Sequence, residues 1–455
     1  MEGSEITSES VSKASERLWF RLHTAPWFKP FRSAGVLLLG KTTQGLFAVI
    51  YTALAARALG LEAFGALVLL HGFIMAVADL ARFQSWQIVL RYGAPALNAG
   101  DTSRFRRVLE FSVLLDLLGA GIGLVVVLLT VAPAMRLFGL PAELQALAPY
   151  YGASILFLTS VGTSHGVLRL LDRFDLIAIQ TAIAPATRLV GSAVLYLAGA
   201  SLEAFLVVWF FGTVLARLTM LAFGWREVMR RGFLPRRRPS SEGIARLERG
   251  AWRFALETSL NATLGLADKH LGLLAVGWLV GPAAASLFRI ARQLAELLTK
   301  ANRNLLTPAI YPELARLTAR GDIGGRRDMV IRSALLMGGM SAVAFGVLAL
   351  VGEPLIELIA GAGFEDAYGT MLLLALAGVV SNCTFSLEPL LISVGRVSET
   401  VIIRAAATIT YLALIYPLLV ETGLIGAAIA ACAYAATGAV MLGLRGCRVI
   451  SATSA

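Results

Sequence analysis

The fold class is decided by the stretch from Val113 to Met135, which reads VLLDLLGAGIGLVVVLLTVAPAM. Its length matches the roughly 20 residues with which an α-helix crosses a hydrocarbon core about 30 Å thick. It lacks the alternation of a barrel strand and is about twice as long as one. Because lipid offers the backbone no hydrogen bonds, only helices and closed barrels span membranes. The stretch therefore predicts a membrane-spanning helix.

Comparable runs, such as Leu335 to Val351, recur through all 455 residues. The chain is 57% hydrophobic and 15% charged, with a mean hydropathy of +0.74, whereas soluble domains contain about 25% charged residues. We predict an all-α, polytopic membrane protein with about twelve spans. The predicted spans are 34–58, 63–90, 107–131, 145–169, 176–199, 202–226, 250–277, 282–312, 327–351, 367–392, 397–419 and 423–446.

The basic residues concentrate in alternate connections between these spans and at both ends of the chain. The other connections hold few basic residues beyond Arg57 and Arg136 and are largely acidic. Cytoplasmic loops carry the excess of Lys and Arg, so both termini are expected in the cytoplasm, which requires an even number of spans. This asymmetry accounts for the formal net charge of +11 without a nucleic-acid partner.

The longest polar segment lies midway along the chain and suggests two lobes. Glycines and arginines recur on either side of it at offsets of 221, 223 and 224 residues: Gly60 and Gly281, Arg173 and Arg396, Gly199 and Gly423. Six spans per repeat give parallel repeats, and transporters of this kind place the substrate between the halves and work by alternating access. The predicted units are a cytoplasmic, interfacial N-terminal segment (1–33), an N-lobe (34–226), a basic cytoplasmic linker (227–249), a C-lobe (250–446) and a cytoplasmic tail (447–455).

Charged residues at bilayer depth are costly and usually face a bundle interior or a water-filled cavity. In the eighth span they form a mostly cationic stripe at spacings of 3, 4, 4 and 3 residues, within an arc of roughly 80°. The stripe contains Arg289, Arg292, Glu296, Lys300 and Arg303. Further charges lie in the first, second, fifth and seventh spans, so we expect a positively biased cavity between the lobes.

Such a cavity suits a phosphate or pyrophosphate group, which arginine can bind through two hydrogen bonds. The residues expected to line it are Arg289, Arg292, Lys41, Arg188 and Lys269. Those expected in coupling or in pairing between helices are Asp268, Glu257, Glu296, Asp79 and His270. For each residue alone, structural pairing between helices remains an open alternative.

No catalytic, cofactor or metal site is expected. Residues Gly35 to Thr42 match the phosphate-binding pattern G-x-x-x-x-G-K-[ST], but that loop must follow a strand, and here it lies inside an apolar run. The three cysteines and four histidines show no metal-binding spacing.

Short motifs resemble the multidrug/oligosaccharidyl-lipid/polysaccharide (MOP) exporter superfamily, and within it the polysaccharide transporters, the Wzx-like flippases. The motifs include Ala58–Gly65 (ALGLEAFG), Arg91-Tyr-Gly, Leu170–Phe174 (LLDRF), Val280–Leu287 (VGPAAASL), Leu314–Leu317 (LARL) after Pro308 and Pro312, and Gly423–Ala430. The resemblance covers nearly the whole chain. It implies a fold like that of MATE and MurJ proteins, in two pseudo-symmetric six-helix lobes.

The resemblance also implies a flippase that moves an undecaprenyl-pyrophosphate-linked oligosaccharide from the cytoplasmic to the periplasmic leaflet of a bacterial inner membrane. The product would feed O-antigen or exopolysaccharide assembly, with membrane lipids, a polysaccharide polymerase and glycosyltransferases as partners. One alternative is a MATE-like, cation-coupled exporter of small amphiphiles, for which carboxylates should dominate the cavity. Others are a membrane-embedded glycosyltransferase, for which larger outer loops are expected, and a scaffold, which needs no buried charge.

Overall fold

The computed structural model describes residues 29–234, 250–264 and 270–451, and its elements over these ranges are helices. A π-helical turn, Val89–Gly93, joins α2 to α3. The α-helices are α1 Lys29–Ala81, α2 Ser85–Ile88, α3 Ala94–Asn98, α4 Thr102–Leu137, α5 Ala142–Gly152, α6 Ile155–Thr159, α7 Gly162–Leu170, α8 Phe174–Ala198, α9 Leu202–Arg230, α10 Ala251–Leu264, α11 Gly272–Leu279, α12 Pro282–Ala319, α13 Ile323–Ala360, α14 Ala367–Cys383, α15 Leu387–Ser393, α16 Val397–Thr422 and α17 Leu424–Ser451.

Nine helical segments of the described chain are long and apolar enough to cross a membrane, so the protein is a multi-pass membrane protein. One of them combines the first two predicted spans, because α1 runs through both of them. The backbone of Gly60 (φ 71°, ψ −177°) is not helical and kinks α1 between the two spans. The described parts of the seventh predicted span are α10 and α11, on either side of residues 265–269, which lie outside the described ranges. The eighth, α12, is long but its interior is rich in charge. The total of twelve spans remains a prediction.

Several predicted spans are less regular than expected. In the second predicted span, α1 ends at Ala81, and the chain continues through α2, the π-helical turn and α3. The fourth predicted span is divided into α5, α6 and α7. Glycines next to the breaks allow close packing: a Cβ on Gly152 would lie 2.4 Å from a Val127 methyl, and one on Gly162 would lie 1.9 Å from Ser85 Oγ. The tenth is likewise divided between α14 and α15. Hydropathy detects such a crossing but not its breaks.

The backbone repeats between the two halves of the chain. Positive φ angles, which L-residues rarely adopt, occur at positions 221 to 224 residues apart, and both Arg173 and Arg396 precede a helix as its N-cap, with φ of −86° and −91°. The matched positive-φ residues are Gly60 and Gly281, Gly100 and Gly321, Gly139 and Gly361, Asp172 and Gly395, and Gly199 and Gly423. We call α1–α9 the N-lobe and α10–α17 the C-lobe. The predicted linker at 227–249 lies mostly outside the described residues, and α9 extends into its first part, to Arg230.

The largest apolar core joins the lobes, with residues from α1, α9, α12 and α16 in one buried cluster. Glycines allow the central helices to approach closely, since a Cβ on Gly65 would lie 1.9 Å from the carbonyl oxygen of Pro282. Smaller clusters lie towards the predicted cytoplasmic side, where α10 packs on the N-lobe through Phe254 and Ala255. The N-lobe interior charges therefore lie beside the first helices of the C-lobe.

Candidate functional site

Arg188, on α8, is the centre of a polar group inside the N-lobe. Its Nη2 donates to Thr213 Oγ1 at 2.9 Å and to His71 Nε2 at 3.3 Å. Because a guanidinium only donates, Nε2 of His71 accepts, and its Nδ1 faces the Tyr151 hydroxyl at 2.7 Å. The Arg188 guanidinium also lies over the Trp209 ring, 5.3 Å from its centroid. Side chains of α1 and α9 thus hold Arg188 in place, and α5 supports it through His71.

More arginines continue this group towards the predicted cytoplasmic side. Arg217, on α9, lies within electrostatic range of Arg82, Asp79 and Arg188. Arg169 donates from Nε to His165 Nε2 at 2.9 Å and lies over the Trp86 ring, 4.6 Å from its centroid. The His165 ring stacks on Trp86, with centroids 6.3 Å apart. Stacking on an aromatic face stabilises a guanidinium without neutralising it.

The C-lobe contributes charge to the same region. Arg289, on α12, lies close enough to His71 and Tyr51 of the N-lobe for its charge to act on both. We call Arg82, Arg169, Arg188, Arg217 and Arg289 the cationic cluster. Two carboxylates of the described residues, Asp79 and Asp116, lie in its field. Over the described residues, five arginines against two carboxylates give the cluster a net positive charge.

Each of these two carboxylates is already engaged. Asp79 pairs with Arg82 at 3.2 Å and, across the lobes, with His270 Nε2 at 3.0 Å. Asp116 is buried and accepts hydrogen bonds from Ser85 Oγ at 2.5 Å, Thr163 N at 2.8 Å and Thr163 Oγ1 at 2.7 Å. Asp116 therefore fixes α4 to α2 and α7, whereas Asp79 and His270 connect the two lobes.

The predicted stripe on α12 divides between two environments. Arg289 faces the N-lobe charges, but Arg292, about 4.5 Å further along the axis at 1.5 Å per residue, pairs with Glu296 at 2.8 Å. This pair lines a cavity of about 260 Å³ within the C-lobe. A second pair, Arg404 and Glu388, lines the same cavity at 2.8 Å. We call this space the C-lobe cavity.

The lobes are joined on the predicted outer side. Arg57, at the outer end of the first span, donates to three successive carbonyls near the end of α13: Glu357 at 3.3 Å, Leu358 at 2.6 Å and Ile359 at 3.2 Å. Ser286 Oγ of α12 donates to the Leu61 carbonyl at 2.5 Å. These contacts, with the close approach of Gly65 to Pro282, close the bundle on this side.

The remaining predicted residues have different positions. The side chain of Lys41 lies outside the described part of the structure, as do Asp268 and Lys269 entirely. Glu257 is exposed on α10 and pairs with Arg253 of the same helix at 2.6 Å, so the structure does not bring it into the cluster. Among the described residues, His, Cys, Asp and Glu form no group of three able to hold a metal ion.

The sequence reasoning did not identify Arg169 and Arg217 as members of the site. Arg217 had a clear signal, because it is the only charged residue between Glu203 and Arg226 of the sixth span. Arg169 is the last residue of the fourth predicted span, and hydropathy cannot show that it folds back against Trp86.

A two-lobed helical bundle with a positive interior is thus the class that the fold and the site define. The model of the polysaccharide biosynthesis protein family matches residues 31–318. The chain is also 30% identical over 340 residues to inner membrane protein YghQ of Escherichia coli K12, covering 74% of this chain and 94% of YghQ. The chain belongs to the polysaccharide biosynthesis protein family.

Solved structures share this fold at low sequence identity. An inward-facing multidrug resistance MATE transporter of the MOP superfamily superposes with a TM-score of 0.72 at 15% identity, over 92% of this chain and 95% of that one. The lipid II flippase MurJ, in an inward closed conformation, gives 0.69 at 12% identity, over 90% and 87%. The MATE- and MurJ-like fold implied by the sequence resemblance is therefore confirmed.

Proposed function

We propose that the protein is a flippase for an undecaprenyl-pyrophosphate-linked oligosaccharide in the bacterial inner membrane. It moves this lipid from the cytoplasmic to the periplasmic leaflet by alternating access, for cell-surface polysaccharide assembly. It acts as a transporter rather than an enzyme, with both termini in the cytoplasm. Glycosyltransferases that build the glycan and a polymerase that extends it are the expected partners.

The observation that supports this proposal most strongly is the charge of the cationic cluster. Its arginines come from both lobes, and buried ionisable groups in transporters mark substrate pathways. A pyrophosphate offers oxygens to several guanidinium groups at once, each able to donate two parallel hydrogen bonds. Arg188 carries a buried Nε that no described group accepts from. A cationic drug would instead require carboxylates in excess.

The outer contacts support a direction for the cycle. Arg57 and Ser286 join the lobes on the predicted outer side, which agrees with loading from the cytoplasm, where such lipid-linked glycans are assembled. Transfer would then require these contacts to break and the cytoplasmic side to close. Family membership in polysaccharide biosynthesis agrees with this cargo.

Binding of the purified protein to undecaprenyl pyrophosphate tests the proposal. The variants Arg188→Gln and Arg289→Gln each remove a guanidinium, and Arg332→Gln is the control because Arg332 lies on an exposed face of α13 beside Asp328. A charge-assisted hydrogen bond contributes about 1.5–3 kcal/mol, so each cluster variant should weaken binding by about tenfold or more.

The competing efflux function predicts a different ligand preference. If the protein binds the lipophilic cation tetraphenylphosphonium and not undecaprenyl pyrophosphate, the flippase proposal is wrong. Equal affinities for the pyrophosphate lipid in the wild-type protein and in both cluster variants would also contradict it.

A further inference from the structure

We propose that the C-lobe cavity binds the first, uncharged sugar of the cargo while the cationic cluster holds the pyrophosphate. This inference rests on the proposed function and adds a second subsite to it. The cavity lies between α12, α14, α16 and α17. Small side chains on these helices, among them Gly378, Ala435 and Gly438, leave the space open.

The charges of the described residues that line the C-lobe cavity are balanced, unlike those of the cluster. Arg292 pairs with Glu296 and Arg404 pairs with Glu388, each at 2.8 Å. The two arginines and two glutamates described in its wall carry no net charge to attract a phosphate. They do offer donors and acceptors side by side, and a sugar hydroxyl both donates and accepts. A polyhydroxylated, uncharged group can therefore form hydrogen bonds with the arginines and glutamates that line the cavity.

The cavity also has aromatic surface and suitable access. Tyr411 and Tyr434 meet edge to face, 6.2 Å between centroids, and both line the space with Phe288. Tyr411 and Phe288 are buried behind the wall, so the half-buried Tyr434 is the ring that can meet the C–H face of a sugar. The Arg404 and Glu388 side chains are 40% and 42% exposed, against 16% for Arg292 and 35% for Glu296. The cavity is therefore accessible near Glu296, Arg404 and Glu388, and Glu388 is on the predicted cytoplasmic side.

Size and position fit one sugar next to a bound pyrophosphate. Ligand pockets hold about 300–1,000 Å³, so a cavity of about 260 Å³ accommodates a single unit rather than a long chain. Arg289 of the cluster and Arg292 of the cavity are less than one helical turn apart on α12. The two subsites are adjacent, as the pyrophosphate and the first sugar are in the cargo.

The internal repeat shows that the lobes differ at equivalent positions. Offsets of 221 and 223 residues relate residues of the N-lobe group to residues that line the C-lobe cavity. The N-lobe members are two histidines and an arginine, whereas the C-lobe members are an arginine, a glutamate and a tyrosine. The equivalent residues are His71 and Arg292, His165 and Glu388, and Arg188 and Tyr411. Two lobes with different chemistry suit two different parts of one cargo.

Two lipid probes separate the subsites: undecaprenyl pyrophosphate, and the same lipid carrying one N-acetylhexosamine. Their affinities are measured for the full-length wild-type protein, for the double variant Glu388→Gln/Arg404→Gln, and for Ala435→Leu, which fills the cavity without altering charge. The control Asp328→Asn/Arg332→Gln removes an equivalent exposed pair on α13. The wild-type protein should bind the sugar-bearing lipid more tightly.

Both cavity variants should weaken binding of the sugar-bearing lipid by about tenfold and leave the bare lipid bound as in the wild type, which also shows that they are folded. The control should change neither affinity. Equal loss for both lipids, or no loss for the sugar-bearing lipid, would overturn the sugar subsite alone. If the wild-type protein binds neither lipid, the proposed function fails as well.

Discussion

Arg57 provides the clearest prediction about the conformational cycle. It is an arginine on the predicted outer side, and it hydrogen-bonds to the carbonyls of Glu357, Leu358 and Ile359, at the end of a helix of the other lobe. Those carbonyls belong to the end of α13, where a positive charge is favourable. The substitution Arg57→Ala removes this contact and leaves each lobe intact. It should therefore shift the protein towards states that are open on the outer side.

The size of the shift follows from the three hydrogen bonds. Hydrogen bonds to charged groups contribute about 1.5–3 kcal/mol when well formed, but Arg57 is exposed and water replaces part of each bond. The attraction of an exposed charge to a helix C-terminus adds about 0.3–1 kcal/mol. A total of about 1–2 kcal/mol is reasonable. The open population should then rise about 5- to 30-fold.

Cysteine labelling measures this population. Ala56 is buried and lines the space beneath Arg57, so Ala56→Cys, with the native cysteines replaced, reports opening to a membrane-impermeant maleimide. Arg136→Ala is the matched control, because Arg136 is also an outer arginine but bonds to Gln145 of its own lobe at 3.4 Å. Labelling of the Arg57→Ala protein at the wild-type rate, or equal acceleration by Arg136→Ala, would refute the reasoning.

Two further substitutions test the packing. Gly65→Ala places a methyl group 1.9 Å from the carbonyl oxygen of Pro282, so the lobes must separate, at a cost of about 1–3 kcal/mol, and the melting temperature should fall. The control Gly121→Ala, with open space around it, should leave the melting temperature unchanged. Equal melting temperatures for the two variants would contradict the close approach of Gly65 to Pro282. Asp116→Ala leaves buried donors unpaired and should cost roughly 2–4 kcal/mol of unfolding free energy, measured in detergent, while the exposed Asp328→Ala should change it by about 0.5 kcal/mol or less. Similar losses for both would show that Asp116 does not hold α4 in place.

The sequence predicts the bundle well because its signals are local. Hydropathy marks each apolar run, and the positive φ angles of Gly60 and Gly281 confirm that these matched glycines break the chain at equivalent turns. The turns of both lobes therefore have positive φ angles at equivalent positions. The breaks in the fourth span were not predicted, since Gly152 and Gly162 are required by neighbours on other helices, Val127 and Ser85.

The site was predicted less completely, for a geometric reason. Helical spacing gives the direction of a side chain around its own helix but not which helix lies opposite. Arg289 and Arg292 were therefore predicted to share one cavity, yet one faces N-lobe residues and the other pairs with Glu296 in the C-lobe. Likewise, the spacing of Glu257 could not show that its face is exposed beside Arg253.

Movement of a lipid-linked glycan between leaflets tests the central claim most directly. Proteoliposomes are loaded on one leaflet with undecaprenyl-pyrophosphate-linked oligosaccharide, and a membrane-impermeant glycosidase measures its arrival on the other. The wild-type protein and Arg332→Gln should translocate the lipid, whereas Arg188→Gln/Arg289→Gln should lose about 90% or more of the rate, as expected for the loss of two charge-assisted contacts. A wild-type rate equal to that of protein-free liposomes, or an undiminished rate in the double variant, would contradict the account.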